Sequence, residues 1–167
     1  VGPVDAGDAK LHVDGVVAGV KATNPDAKLN ISFTGNFGDT ALAAEAANTH
    51  IQAGADVLTG SAQQVSGAIG IAKEKGIPWL GIQGDQSPLA PEIVVASDVY
   101  NWVPLLKEII KLRGEGVNGG QVLQLTLENG TQNMIYSDTL PAEVVDAAKA
   151  AAQGIIDGSI TIVAEPR

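Results

Sequence analysis

The chain has 167 residues, of which 45% are hydrophobic and 17% are charged, so it can bury a domain core and has the composition of a globular protein. Its formal net charge of −9 disfavours binding to nucleic acids and to anionic membranes, because both of these partners are themselves negatively charged. The chain contains no cysteine, which excludes thiol catalysis, disulfides and cysteine-ligated zinc sites.

Short β-rich runs alternate with amphipathic helices over most of the chain. This alternation is typical of βαβ units and predicts an α/β fold, a Rossmann-like parallel sheet with helices on both faces. Local signals mark the helix boundaries, such as Asp39 as an N-cap and Gly76 just past a helix end. In chain order the predicted elements are a strand remnant at 1–4, a helix at 8–22, a strand at 29–34, a helix at 39–54, a strand at 56–59, a helix at 63–75, strands at 79–82 and 93–96, and a helix from 101.

The pattern changes after residue 120. Apolar and polar residues alternate over 123–127, and a second β-rich run covers 131–137, on either side of Asn129-Gly130. An Asn-Gly pair between two such runs predicts a β-hairpin, because both residues tolerate the positive φ that the tight turn requires. A closing helix is predicted at 141–157, and the apolar run 160–163 is compatible with a further strand.

Four predicted loops are rich in polar and aromatic side chains. In an open parallel sheet, ligands bind beyond the carboxyl ends of the strands, and the loops 35–39, 60–64, 83–87 and 98–102 all lie there. Aromatic faces beside amides and carboxylates suit a flat ligand with a polar rim. We therefore predict a small-molecule site at this edge of the sheet.

Nine residues of these loops are candidate ligand contacts, since each can stack on a ring or hydrogen-bond to its edge. Phe37 can instead cover the end of the sheet, Asp85 can stabilise a turn, and Trp102 can pack under its helix. Asp39 and Asn101 can serve as helix N-caps, and for Asp39 the cap is the preferred interpretation. The candidates are Asn36, Phe37, Asp39, Ser61, Gln83, Asp85, Tyr100, Asn101 and Trp102.

No metal, cofactor or catalytic site is predicted. His12 and His50 lie on separate predicted helices, each without a second metal ligand nearby. The loop Gly35-x-x-Gly38 lacks the third glycine and the lysine of a phosphate-binding loop. The loops offer no nucleophile with an adjacent base, so a hydrolase or lyase that uses Asp85 as its base is the less favoured alternative to a binding protein.

Five segments, in the same order, carry a resemblance to a known protein family. Thr-Gly-Asn-Phe-Gly-Asp at 34–39 is similar to that family's Thr-Gly-Ser-Phe-x-Asp loop, and Ala-Gly-Ala-Asp-Val at 53–57 is similar to its Gln-Gly-Ala-Asp-Val. Residues 72–91 resemble the passage into its Gly-Val-Asp-Ser-Asp-Gln signature. The segments 15–28 and 140–158 resemble its first helix-to-strand passage and its final helix. The family is that of the basic membrane proteins, PnrA-like nucleoside-binding components of ABC transporters.

The resemblance implies a solute-binding component of an ABC uptake system, which closes two Rossmann-like lobes on its ligand without chemistry. The implied ligand is a nucleoside, a purine or a similar small ring-containing solute, and the implied protein partner is a transporter permease rather than a nucleic acid. The implied location is periplasmic or extracellular, with a lipoprotein anchor on the full-length protein. The same lobe also serves as the sensory ligand-binding domain of receptors and regulators, which is the alternative function.

The resemblance also implies a division of the chain. Residues 1–102 correspond to the second lobe of a type I periplasmic-binding-protein fold, and residues 103–167 to a C-terminal helix, hairpin and closing helix that pack on it. The family's first lobe would then be absent from this sequence. An isolated lobe of this kind is expected to expose an apolar patch and to self-associate.

Two positions depart from the family pattern. Gln83 stands where the family has an Asp that contacts the ribose of the ligand, whereas Asp85 keeps the second acid of the signature. The family's Lys falls on Tyr100, or on Asn101 if one residue is inserted. Each exchange removes a charge but keeps hydrogen-bonding capacity, so the expected ligand extends to related aromatic or heterocyclic solutes.

Overall fold

The computed structural model describes residues 1–162. This part of the chain contains five helices and four strands, with a short 3-10 turn before the third strand. The elements are α1 (Gly7–Thr23), α2 (Thr40–Gln52), β1 (Leu58–Thr59), α3 (Val65–Lys75), β2 (Trp79–Gln83), the 3-10 turn (Ser87–Leu89), β3 (Val94–Tyr100), α4 (Trp102–Gly114), β4 (Gln132–Tyr136) and α5 (Ala142–Ile156).

The four strands form one sheet in the order β1-β2-β3-β4. The first three are parallel, and β4 runs antiparallel to β3. The sheet continues beyond β1 through backbone hydrogen bonds: Ser61 N donates to Val1 O (3.1 Å), and Gly2 N donates to Ser32 O (2.9 Å). A parallel bridge between Gly2 and Phe33 completes this end. The α/β fold and its mainly parallel sheet are therefore confirmed, although the strand predicted at 29–34 is reduced to this single bridge.

Small side chains form the core between the sheet and the pair α2–α3. Ala43, Ala47, Ala68 and Ala72 have no exposed surface, and they surround the fully buried Trp79 of β2. Alanine on facing helices lets the two backbones approach closely, so the large indole fills the space that remains under them. This face of the sheet is tightly packed.

The helix α1 lies on the opposite face of the sheet. Thr59 pairs in register with Leu80, which alternates with the buried Trp79, so the Thr59 side chain points away from the α2–α3 core. The Thr59 hydroxyl donates to Leu80 O (2.8 Å) and lies 3.2 Å from His12 Nε2 of α1. Because the hydroxyl proton is already engaged, His12 is the donor in this contact.

The predicted hairpin at Asn129-Gly130 is wrong. Residues 132–136 do form a strand, but it pairs with 96–100 of β3 instead of with 123–127. Thr126 N donates to the side-chain oxygens of Thr131 (2.8 Å) and Asn129 (3.2 Å), so side chains take up a backbone donor that a hairpin ladder would need.

The same pairing corrects two neighbouring boundaries. Because β4 adds a ladder along it, β3 extends to Tyr100, so residues 98–100 lie in a strand rather than in the predicted loop 98–102. The suggested strand 160–163 is not found: residues 160–162 are irregular, and residue 163 lies outside the described part of the chain.

We expect His12 to destabilise the fold by about 2 kcal/mol between pH 7 and pH 5. Burial lowers its pKa from 6.5 to about 4. At a pH between these two values the imidazole is mostly protonated in the unfolded chain and mostly neutral in the folded protein. The contribution of neutral His12 to the free energy of unfolding is complete above pH 6.5, the pKa in the unfolded chain. It is lost as the pH falls through the pKa in the folded protein, about 4. Urea unfolding at the two pH values measures this loss. His12→Gln keeps a donor for Thr59 but cannot titrate, so an equal acid loss in this variant and the wild type would contradict the assignment.

Candidate functional site

The carboxyl ends of the parallel strands form an open rim. α1 connects the segment 1–3 to the segment 32–34 on one face of the sheet, and α2 leads back to β1 on the other face. Successive strands are therefore added in opposite directions across the sheet on either side of 1–3, and this switch in strand order leaves a crevice at the carboxyl ends of 1–3 and β1, the usual ligand position in open α/β sheets.

Hydrogen bonds fasten three of the rim loops to one another. Gln64 N donates to Phe37 O (2.9 Å), and the Thr34 hydroxyl donates to Gln64 Oε1 (2.7 Å). Ala62 N donates to Gln83 Oε1 (3.3 Å), which joins the loop after β1 to the end of β2. The loops carrying Phe37, Ser61 and Gln83 thus form one connected surface.

The Phe37 ring is held out toward solvent by its neighbours. Asn36 Oδ1 accepts from Gly38 N (2.8 Å) and Asp39 N (3.0 Å), and Asp39 caps α2 by accepting from two backbone N–H groups of its first turn (3.0 Å each). The Phe37 side chain is 56% exposed. Asn36 and Asp39 therefore have structural roles through these oxygens, whereas Phe37 presents an uncovered aromatic face to the rim.

Two non-glycine residues of the rim adopt left-handed backbone conformations. Ala62 has φ 70° and Gln83 has φ 73°, and they are the only residues other than glycine with positive φ among residues 1–162. Such conformations are strained for residues with a Cβ, and they occur most often at functional sites. Here they lie in adjacent loops and are joined by the bond from Ala62 N to the Gln83 carboxamide.

Ala62→Gly should stabilise the protein by about 1 kcal/mol, because glycine adopts positive φ without strain. The matched control is Ala150→Gly, which replaces an exposed alanine of α5 and should instead destabilise by up to about 1 kcal/mol. Thermal unfolding of both variants distinguishes the two signs. A loss of stability in Ala62→Gly would show that no strain is stored at this position.

Asp85 stabilises the turn that follows β2. Its Oδ1 accepts from Ser87 N (2.9 Å), and the hydrogen bonds from the Ser87 side chain and backbone lower the pKa of this exposed carboxyl. The carboxylate is therefore ionised at neutral pH. A lowered pKa makes it a weak general base but a good acceptor for ligand hydroxyl or amino groups.

Two aromatic residues stand at the end of β3. The rings of Tyr100 and Trp102 meet edge to face, with centroids 6.1 Å apart and planes at 74°, and Trp102 is 51% exposed. Asn101 lies between them and caps α4 by accepting from Val103 N (3.2 Å). The structural role of Asn101 is thus visible, and Trp102 offers a second aromatic surface.

Sequence reasoning missed Asp98 as a site residue. Asp98 lies on β3 between Ile82 of β2 and Met134 of β4, where burial raises its pKa. The pKa of Tyr100 is raised by burial and then by the charges of Asp98 and Asp8, which places Asp8 of α1 in the same neighbourhood. The available signal was a carboxylate inside the apolar strand run 93–99, a costly placement without a function.

A second concavity lies away from the rim. It has a volume of about 330 Å³ and is formed by the C-terminal half of α4 and the loop 117–123. Its lining is mainly apolar, with Arg113 as its charged residue. Between residues 1 and 162 no group of three His, Cys, Asp or Glu side chains is placed to hold a metal ion.

This mainly parallel sheet, with helices on both faces and exposed aromatics, amides and a carboxylate at one rim, defines an α/β protein of the Rossmann-like class. The sequence model of the PnrA-like ABC transporter substrate-binding proteins matches residues 5–165. The chain belongs to this family.

Relatives of known name agree with this membership. The chain is 28% identical to basic membrane protein D of Borreliella burgdorferi (strain JD1) over 156 residues, which cover 89% of this chain and 46% of that protein. It is 22% identical to a purine-binding protein of Brucella abortus (strain 2308), covering 96% of this chain and 45% of that protein. It is 27% identical to the ABC transporter nucleoside-binding protein BmpA of Lactococcus lactis subsp. cremoris (strain MG1363), covering 89% and 47%. The chain spans about half the length of these relatives.

Solved structures share the fold at low sequence identity. A transcriptional activator of the comK gene from Bacillus halodurans superposes with a TM-score of 0.83 at 22% identity, over 96% of this chain and 57% of that one. A solute-binding protein of an ABC transporter system from Conexibacter woesei DSM 14684 gives a TM-score of 0.76 at 21% identity, over 98% and 55%.

Proposed function

We propose that this chain is the second lobe of an ABC solute-binding protein and binds a nucleoside, a purine or a similar ring-containing solute at its rim. Residues 1–102 form this lobe in the proposal, and residues 103–167 are the C-terminal part that packs on it. The observation that carries the proposal is the half-exposed Phe37 side chain on a rim loop that is hydrogen-bonded to the neighbouring amide-rich loops. The names of the purine-binding and nucleoside-binding relatives support the ligand class.

Binding in this proposal needs no chemical step. Phe37 and Trp102 stack on the ligand ring, and Gln83, Asp85 and Ser61 hydrogen-bond to its edge or to an attached sugar. Tyr100 supports Trp102 through their edge-to-face contact. An opposing lobe then covers the ligand, and the closed form docks on a transporter permease.

A thermal-shift screen of the full-length, two-lobed protein with nucleosides, purine bases and small aromatic metabolites tests the proposed function. A ligand present at 100 times its Kd stabilises the folded state by about 2.7 kcal/mol, which raises Tm by roughly 5 to 10 °C for a lobe of this size. Adenosine, inosine and guanine are the first compounds to test. No shift with any compound of the panel would contradict the proposal.

Sensing is the second candidate function. It is supported by one observation, the fold similarity to a protein described as a transcriptional activator of the comK gene. Ligand uptake by cells with and without the gene separates the two. Transport requires that deletion reduce uptake, whereas sensing requires that gene expression change and uptake persist.

The location follows from the transport proposal. We place the full-length protein in the periplasm or outside the cell, anchored as a lipoprotein. No helix within the first 162 residues is long and apolar enough to cross a bilayer. Metabolic labelling of the full-length protein with a fatty acid tests the anchor, and its absence from the labelled membrane fraction would argue against it.

We also propose that the lobe self-associates when it is alone. Among the described residues of α4 none is buried, and Leu106 and Ile110 of this helix are 54% and 71% exposed. Exposed apolar faces of this kind are normally covered by another surface. Sedimentation velocity should show a sedimentation coefficient that rises with protein concentration, and a monomer at all concentrations would contradict this expectation.

A further inference from the structure

Two buried polar atoms at the rim have no hydrogen-bond partner within residues 1–162. They are Ser61 Oγ, on a residue that is only 4% exposed, and Asp98 Oδ1. Neither atom is used by the contacts that hold the rim loops together. An unpaired buried oxygen is costly, so such atoms call for an explanation, and one explanation is a partner that arrives with the ligand.

Both side chains lie on the α1 face of the sheet. Thr59 faces His12 of α1, and Ser61, two residues further along the same extended segment, faces the same way. Asp98 pairs in register with Ile82, which lies two residues beyond Leu80, the partner of Thr59. Ser61 and Asp98 therefore flank the buried Ile82 on one face, about 10 Å apart by strand spacing.

The surroundings of these two atoms are acidic. Asp8, in the first turn of α1, and Asp98 are both close enough to Tyr100 for their charges to affect its ionisation. The segments 4–8, 35–39, 60–64, 83–87 and 98–102, which surround the rim, contain no Lys or Arg. The nearby Lys10 of α1 is bound to Asp14 by a salt bridge. We call the group Ser61, Asp98, Asp8 and Tyr100 the acidic slot.

We propose that the acidic slot receives a positively charged N–H group of the ligand, so that the site selects ring-containing cations over neutral and anionic solutes. This inference rests on the proposed function and adds the charge of the solute to it. A protonated or N-alkylated heterocycle places its ring on Phe37 or Trp102 and its charge toward Asp98, whose Oδ1 then gains a donor. Ser61 Oγ accepts from, or donates to, a second polar atom of the ligand. A phosphorylated solute is disfavoured because these rim segments carry carboxylates and neither Lys nor Arg.

Isothermal titration of the purified full-length protein with three compounds of the same ring and sugar tests the proposal. The compounds are 1-methyladenosine, which is cationic at neutral pH, adenosine, which is neutral, and adenosine 5′-monophosphate, which is anionic. We expect 1-methyladenosine to bind about tenfold more tightly than adenosine, and the monophosphate about tenfold more weakly. In Asp98→Asn the ratio between the first two should fall to about one, and the variant should melt at or above the wild-type temperature because it loses an unpaired carboxylate.

Asp26→Asn is the matched control, because it makes the same change of charge at an exposed turn after α1. Asp26→Asn should leave the preference for 1-methyladenosine over adenosine unchanged. The methyl group of 1-methyladenosine is the same in every titration, so its steric effect cancels when the affinity ratios of the variants are compared. Adenosine binding without a preference for the cation, or a preference that survives in Asp98→Asn, would overturn the acidic slot and leave the proposed function standing. Binding of none of the three, nor of any compound in the thermal-shift panel, would overturn the proposed function and this inference with it.

Discussion

Gly67→Ala should lower the free energy of unfolding by about 3 kcal/mol. A Cβ at this position of α3 would lie 1.9 Å from Thr40 O and 2.7 Å from Thr40 C, at the start of α2. The obstacle is backbone, not the end of a flexible side chain, so the two helices must separate. Their separation would also loosen the packing of the small alanines around Trp79.

Gly70→Ala is the matched control on the same helix. Gly70 is exposed, and a Cβ there meets nothing within 4 Å, so alanine should stabilise α3 by up to about 1 kcal/mol through its higher helix propensity. Urea unfolding of both variants should therefore give opposite signs. Equal stability of the two would mean that α2 and α3 are not in the close contact described above.

The double variant Phe37→Ala/Trp102→Ala should lose about 100-fold in affinity for a ring-containing ligand, with little change in stability. Each aromatic stacking contact is worth about 1 kcal/mol beyond the area that it buries, and the loss of two contacts with their area amounts to about 2.7 kcal/mol. Both side chains are more than half exposed in the unliganded protein, so their removal opens no cavity. Titration calorimetry with the tightest ligand of the thermal-shift screen measures the effect.

Ile110→Ala controls for the removal of an exposed apolar side chain. Ile110 is 71% exposed on α4, eight residues along the helix from Trp102. Its replacement by alanine should leave the affinity for the ligand unchanged. If the double variant bound ligand as tightly as Ile110→Ala does, the aromatic residues of the rim would not be ligand contacts.

Local signals predicted the helix boundaries well. Asp39 caps α2, Asn101 caps α4, and Gly76 ends α3 in a left-handed conformation with φ 67°. Each of these features depends on a few neighbouring residues, because a cap satisfies backbone groups within one turn. The alternation of β-rich runs and helices predicted the parallel sheet, because this alternation is typical of βαβ units.

Long-range pairing could not be predicted from the same signals. The alternation around Asn129-Gly130 indicated a hairpin, but 132–136 gains five ladder positions on the open edge of β3, and 123–127 is left irregular. A turn signal in the sequence indicates where the chain reverses direction, but it does not indicate which strand the following segment pairs with. The extension of β3 to Tyr100 and the inward position of Asp98 follow from that choice of partner.

The candidate site was predictable in its location and less so in its detail. The sequence predicted that four segments meet at one edge, since strand direction in a parallel sheet fixes where the strand ends lie, although 98–100 belong to β3 and not to a loop. It did not indicate that Ala62 and Gln83 adopt positive φ, or that Ser61 and Asp98 keep unpaired buried oxygens. The positive φ values arise where two loops meet, and the unpaired oxygens lie on the face of the sheet that α1 covers, so neither feature follows from a local sequence pattern.

Hydrogen exchange measured with and without adenosine, or with the tightest ligand of the screen, tests most directly whether the rim is the ligand site. The account predicts that bound ligand slows amide exchange in 35–39, 60–64, 83–87 and 98–102, while α5 and the loop 117–123 exchange as before. Protection confined to the concavity between α4 and 117–123, with the rim unaffected, would contradict it.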